Sequence, residues 1–187
     1  MIRTGPWLVA IDLQTIFGEP TSPWATPRFD AAVAGTQALR PAFAGRTVHT
    51  RFVAPTTPTG AWVPYYRDWS FALVPATDSL YDLVLPAGDD PVVTATTFGK
   101  WGTELATVIA GQNHEGLGPE PEIVLTGVST DCCVLSTALA AADAGVAVRV
   151  VTDACAGATD ADHQRALDAM ALYVPLIRLT TVAEVLG

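Results

Sequence analysis

The chain alternates short β-branched and apolar runs with longer stretches in which apolar residues recur at helical spacing. Trp7 to Ile11, Arg46 to Phe52, Val92 to Ala95, Ile123 to Leu125, Val146 to Val151 and Pro175 to Leu179 read as buried strands. Asp30 to Phe43, Gly102 to Ala110, Asp131 to Ala144, Asp160 to Leu172 and Thr180 to Leu186 read as helices. Pro41 is expected to end the first helix early, and Thr159 or Asp160 to cap the fourth. The stretch 122–157 is the clearest: a strand, the small-residue turn Gly127 to Thr130, a helix, the stop Gly145, and a second strand. Val134, Leu135, Ala138, Leu139 and Ala142 mark the buried face of that helix. Two strands joined through one helix run parallel with a right-handed crossover. Six strands alternating with helices predict a parallel sheet covered on both faces, an α/β protein built as a three-layer α/β/α sandwich.

Length and composition narrow the class. A chain of 187 residues, half of them hydrophobic, reads as one domain over 1–187. No apolar run approaches the length of a membrane span, and the N-terminus enters a strand too soon for a signal peptide. Three cysteines, two of them adjacent, form no disulfide framework, so a reducing cytoplasm is the expected compartment. A formal net charge of −9 argues against nucleic acid or an anionic membrane as partner and leaves a small molecule.

The candidate chemistry gathers where strands end. Cys132 and Cys133 fall where a strand gives way to a helix, and amide N–H groups with the positive end of the helix dipole favour a thiolate there. Successive helical residues diverge by about 100°, so one cysteine of the two is expected to face a given pocket. Asp12 stands at the carboxyl end of the first strand, where open α/β sheets bind ligands. Arg51, near the end of the second, could grip a substrate carboxylate or carbonyl, or form a structural ion pair. Trp24 lies in the proline-rich loop Gly18 to Pro27, on the same edge, and either covers the pocket or packs on the surface. Ala54 to Trp69, with three prolines and four aromatics, reads as an irregular functional loop. Its apolar part from Trp62 to Trp69 predicts a subunit interface, hence a homodimer or larger homo-oligomer.

Gly127 to Val134 (GVSTDCCV), followed by Thr137-Ala138, resembles the nucleophile motif of the isochorismatase-like cysteine hydrolases, the superfamily of nicotinamidases, N-carbamoylsarcosine amidase and ureidoacrylate amidohydrolases. Asp12-Leu13-Gln14 with Phe17, and Val151 to Ala156, are similar to the family's first and last motifs. The resemblance covers nearly the whole chain and implies strand order 3-2-1-4-5-6, with Asp12 and Cys133 on neighbouring strands. It implies Cys133 as nucleophile, Asp12 as catalytic base, the backbone N–H groups of Ser129 and Cys133 as oxyanion hole, and a cis peptide between Val128 and Ser129. Cys155 is then structural, and the 54–69 region, Trp62 included, contributes to the pocket and the subunit interface.

Two departures stand out. The metal-binding segment of the nicotinamidases has an Asp and two His after the second strand, whereas this segment has no His, so no metal and no cofactor are expected. The family's lysine falls near Thr94 or Ala95, but the lysine of this chain is Lys100. Either Lys100 reaches back to Asp12 and Cys133, through a bend that Gly99 allows, or the cation is missing and the chemistry is altered. The expected function is hydrolysis of a C–N bond in a small amide, carbamoyl or ureido compound. An isochorismatase-type vinyl ether hydrolase, or a family member that binds a metabolite or serves as an assembly subunit, are the alternatives.

Overall fold

The structure is a computed structural model and describes residues 5–110 and 121–187. Its strands are β1 (Trp7–Ile11), β2 (Thr47–Phe52), β3 (Val92–Ala95), β4 (Glu122–Val128), β5 (Ala147–Ala156) and β6 (Ile177–Thr180). The helices are α1 (Thr15–Gly18), α2 (Phe29–Leu39), α3 (Trp62–Asp68), α4 (Thr103–Ala110), α5 (Leu135–Asp143), α6 (Asp160–Ala171) and α7 (Val182–Leu186). All six strands are parallel, in the order β3-β2-β1-β4-β5-β6. Strand order reverses between β1 and β4, which places a crevice beyond the carboxyl ends of those two strands.

The two faces of the sheet bury different partners. One carries Val9, Ile11, Leu125, Val148 and Val150 against Leu105 of α4, Ala138 and Ala141 of α5, and Leu167 and Met170 of α6. The other carries Leu8, Val124 and Val151 against Leu39 of α2, with Val182 and Val185 of α7 beside them. A third cluster, from Leu13, Phe17, Phe52, Tyr66 and Tyr81, fills the space beyond the carboxyl ends of β1 and β2. No described helix is long and apolar enough to cross a membrane.

Several elements differ from the pattern-based expectation. Pro41 does end α2 early, and a 3₁₀ turn over Arg40–Phe43 follows. The 54–69 stretch is not wholly irregular: Trp62–Asp68 is helical, and its proline, Pro64, sits in the first turn, where no intrahelical N–H is required. The helix expected from Asp131 starts instead as a π turn, Thr130–Val134, in which Val134 N–H reaches Ser129 O at 3.1 Å. β4 and β5 run further than their apolar cores: Thr126 and Gly127 continue the ladder with β1, and β5 pairs again with β4 at Cys155 and Ala156 after a register shift. The stretch between α4 and β4, residues 111–120, lies outside the described residues.

The aromatic segment that motivated a subunit interface turns inward. Trp62 packs on Tyr65 and Phe98, each at 5.2 Å between centroids, and Tyr66 is buried. Val63 of that segment is exposed, but the most exposed apolar side chains are Leu172 and Val174, ahead of edge strand β6, with Leu172 84% exposed.

Candidate active site

Asp12 leaves β1 in the left-handed region, at φ 47°, a conformation few non-glycine residues adopt and to which aspartate is better suited than most. Thr50 of β2 fixes it twice. The Thr50 hydroxyl accepts from Asp12 N–H at 3.1 Å and donates to Asp12 Oδ1 at 2.6 Å. Gln14 braces the same corner, since its side-chain amide donates to Phe52 O and Tyr81 O and accepts from Phe52 N–H. Both Asp12 and Gln14 are fully buried.

The other carboxylate oxygen, Oδ2, lies 2.7 Å from Lys100 Nζ, and neither side chain has any exposure. The chain between β3 and α4 thus folds back over the sheet edge. Lys100 N–H donates to Thr137 Oγ1 of α5 at 2.9 Å, and that hydroxyl donates to Cys133 O at 2.6 Å. The Lys100 ammonium donates to Thr97 O at 2.7 Å and Phe98 O at 2.8 Å. Two of the ammonium's protons thus go to backbone carbonyls, and Asp12 Oδ2 meets it as an ion-pair partner. Gly99 is not in the positive-φ region; the ammonium's own bonds to the turn hold the bend.

Cys133 is 3% exposed and follows β4 across the cis peptide between Val128 and Ser129. Gly127 permits the approach of β4 to β1. Its φ is +109°, and a Cβ there would stand 2.0 Å from Ile11 O. Burial first, then the Asp12 carboxylate, pushes the Cys133 thiol well above the ordinary cysteine range, while the Lys100 ammonium opposes them. The resting group is therefore a thiol. Burial and the Asp12 carboxylate thus oppose the thiolate that a helix N-terminus favours. Burial alone would lower the Lys100 ammonium, but Asp12 and then Cys133 outweigh it and raise it, so Lys100 is a cation at neutral pH.

A cavity of about 330 Å³ opens above Cys133. Phe17, Trp24, Phe52, Tyr65, Trp69 and Phe98 form its walls, and Ser129, Asp131, Cys132 and Cys133 its polar part. Both cysteines line it, not one, because the π turn spaces them differently from an α-helix. Cys132 Sγ is 3.6 Å from Asp131 Oδ2, and burial followed by that carboxylate pushes its thiol up to about 11. Cys155 lies apart, under β4, with its sulfur 3.9 Å from Leu125 O and its thiol raised by burial to about 12.

The site residues expected from sequence divide clearly. Cys133, Ser129 and Trp24 line the cavity, and Asp12 and Lys100 are buried behind Cys133. Trp62 stands one layer behind it, against Tyr65 and Phe98. Arg51 does not reach it: side chains alternate along a strand, Thr50 and Phe52 face the site, and the Arg51 guanidinium donates to Ala76 O. Thr50 and most of the aromatic wall carry no motif of their own, and Thr137, though it follows the cysteine motif, has no role assigned from sequence. The period-2 alternation of β2 on either side of Arg51 is the signal that could have picked out Thr50. Among the described residues no three His, Cys, Asp or Glu are grouped to hold a metal, and the segment after β2 lacks the histidines such a site needs.

A buried carboxylate–ammonium–thiol cluster thus stands at the switch point of a parallel α/β sheet. Residues 6–184 match the isochorismatase domain, and the chain belongs to the isochorismatase family of hydrolases. Solved structures agree. A cysteine hydrolase from Pseudomonas syringae pv. phaseolicola 1448A superposes with a TM-score of 0.80 at 22% identity, covering 96% of this chain and 90% of that one. A pyrazinamidase of Pyrococcus horikoshii in complex with zinc gives 0.74 at 23% identity, covering 95% and 99%. An N-carbamoylsarcosine amidase from Thermoplasma acidophilum gives 0.72 at 21% identity, covering 98% and 100%. No curated protein matches the chain.

Proposed function

We propose that the protein is a cysteine amidohydrolase that cleaves a C–N bond of a small amide, carbamoyl or ureido compound. The observation that carries the reading is the meeting of Asp12 and Lys100 with Cys133, which lines one cavity. Asp12 takes the thiol proton as Cys133 Sγ attacks the substrate carbonyl carbon. Lys100 compensates the negative charge passing between sulfur and carboxylate. The backbone N–H groups of Ser129 and Cys133 stabilise the tetrahedral oxyanion. Collapse breaks the C–N bond, and Asp12 returns its proton to the departing amine. The thioester left on Cys133 is then attacked by water, which yields its proton through Asp12 and releases the carboxylic acid and the free thiol. No step needs a metal or cofactor.

A hydrolysis screen over small amides, carbamoyl and ureido compounds, read by ammonia release, tests this. Turnover lost in Cys133→Ala supports it; turnover independent of Cys133 refutes it. Three free cysteines suit a reducing compartment, and we place the protein in the cytoplasm. The exposed Leu172–Leu176 surface supports self-association. A light-scattering mass of one chain at micromolar concentration counts against that.

A further inference from the structure

We infer that the substrate carries an organic cation, an ammonium or alkylammonium group, at the end opposite its scissile amide. The amide end rests on the amidase reading; the cation site rests on the cavity alone. Six aromatic side chains form the wall, and Trp24 is packed among them, 5.9 Å from Trp69 and 6.0 Å from Phe17 between centroids. Aromatic faces present negative charge, and several rings around one space select cations.

The charges of the lining point the same way. Among the described lining Asp131 is the one carboxylate, and no Lys, Arg or His takes part. Asp131 Oδ1 accepts from Ala158 N–H at 2.9 Å, and Oδ2 faces the neutral Cys132 thiol. No described cation lies within ion-pair reach of Asp131. Nearby His163 bonds Thr130 Oγ1 through Nδ1 at 2.8 Å, and burial, then Arg28, keeps its ring below the usual histidine range. Lys100 is not placed to serve a substrate carboxylate either, since it is absent from the lining and its ammonium is buried against Asp12, Thr97 O and Phe98 O. Arg51 is engaged with Ala76. A carboxylate in this cavity meets Asp131 with no described cation in the lining to offset it, whereas an ammonium meets one carboxylate and six aromatic side chains. The net charge of −9 adds a long-range field that draws cations.

The test uses the full chain and three probes that share one ring and differ in head group: benzylammonium, benzyl alcohol and phenylacetate. Quenching of tryptophan fluorescence reads binding, because Trp24 and Trp69 stand in the wall. Benzylammonium is expected to bind about tenfold tighter than benzyl alcohol, with phenylacetate weakest. Added salt should weaken the ammonium alone. Asp131→Asn should cut the preference to about threefold or less. Trp69→Leu, a second variant away from the cysteine turn, should also reduce it, with circular dichroism reporting that each variant is folded. Equal or tighter binding of the alcohol or the carboxylate, or an unchanged preference in both variants, overturns the proposal.

Ammonia release from the para-aminomethyl, para-hydroxymethyl and para-carboxymethyl benzamides separates this inference from the amidase reading. Fastest release from the aminomethyl compound supports both. Release that ignores or reverses the head-group order overturns the cation site and leaves the amidase reading. No release from any, with the binding preference intact, does the opposite.

Discussion

Lys100 Nζ and Asp12 Oδ2 are 2.7 Å apart with no exposure of either side chain, although 88 positions separate them and they follow different strands. Neither charge can be removed without leaving the other buried and uncompensated, a situation that costs about 3 kcal/mol or more. Lys100→Met should therefore lower stability by about that amount and slow acylation roughly a hundredfold or more. It should also raise the Cys133 thiol further, since Lys100 is the group holding it down. Iodoacetamide labelling against pH checks the last point; unchanged pH behaviour would refute the assigned role.

The two adjacent cysteines should respond differently to alanine. Cys133 stands against Asp12 and Lys100, while Cys132 faces Asp131. Cys133→Ala is expected to abolish turnover and Cys132→Ala to keep most of it, measured as ammonia release on a substrate found by the screen. Equal losses would mean that sulfur chemistry is wrongly placed.

Thr50 is a positioning residue. Its hydroxyl both receives the Asp12 N–H and bonds the carboxylate, so Thr50→Val leaves two buried groups unsatisfied, at about 1–3 kcal/mol. Because Thr50 does not line the cavity, kcat should fall about tenfold with KM nearly constant, and Thr50→Ser should restore it. A rise in KM alone would contradict this.

Gly127 is the tightest backbone crossing beside the site. With φ +109° and Ile11 O only 2.0 Å from the position of an added Cβ, Gly127→Ala must displace β4 from β1. The expected loss is about 3 kcal/mol or more, seen as a lower thermal midpoint. A midpoint close to the parent's would show the crossing to be more pliable than its geometry implies.

His49 predicts an acid limb. The ring is fully buried with neither nitrogen hydrogen-bonded, its nearest carboxylate oxygen being Asp90 Oδ2 at 3.8 Å. Burial, then Arg40, lowers its folded pKa below the unfolded 6.5, with Asp90 opposing. The unfolded chain thus binds a proton that the folded one refuses, so stability is full above that value and declines as pH falls below it. His49→Leu should flatten the decline in urea midpoint between about pH 7 and about pH 5.5. A parallel decline in both proteins would assign the acid limb to other groups.

What the sequence by itself determined is whatever short-range pattern encodes. Apolar runs separated by helical spacing yielded six parallel strands and their order of connection, and the strand-end positions of Asp12 and Cys133 were visible because ligands gather at that edge. Trp24 was placed on the right side for the same reason. What only the tertiary structure decided depends on contacts remote in sequence. No local pattern states that residue 100 bends back to Asp12, because the bend is held by bonds to Thr97 O, Phe98 O and Thr137. The protonation of Cys133 is not legible from sequence, since a helix N-terminus is a local feature while burial and the neighbouring carboxylate are not. Arg51 and the 62–69 aromatics were misplaced for one reason: which face a side chain takes is set by what packs against the element. Composition fixed how many aromatic residues the chain has, but only the folded packing turned them inward around a cavity with one carboxylate and no free cation among its described lining.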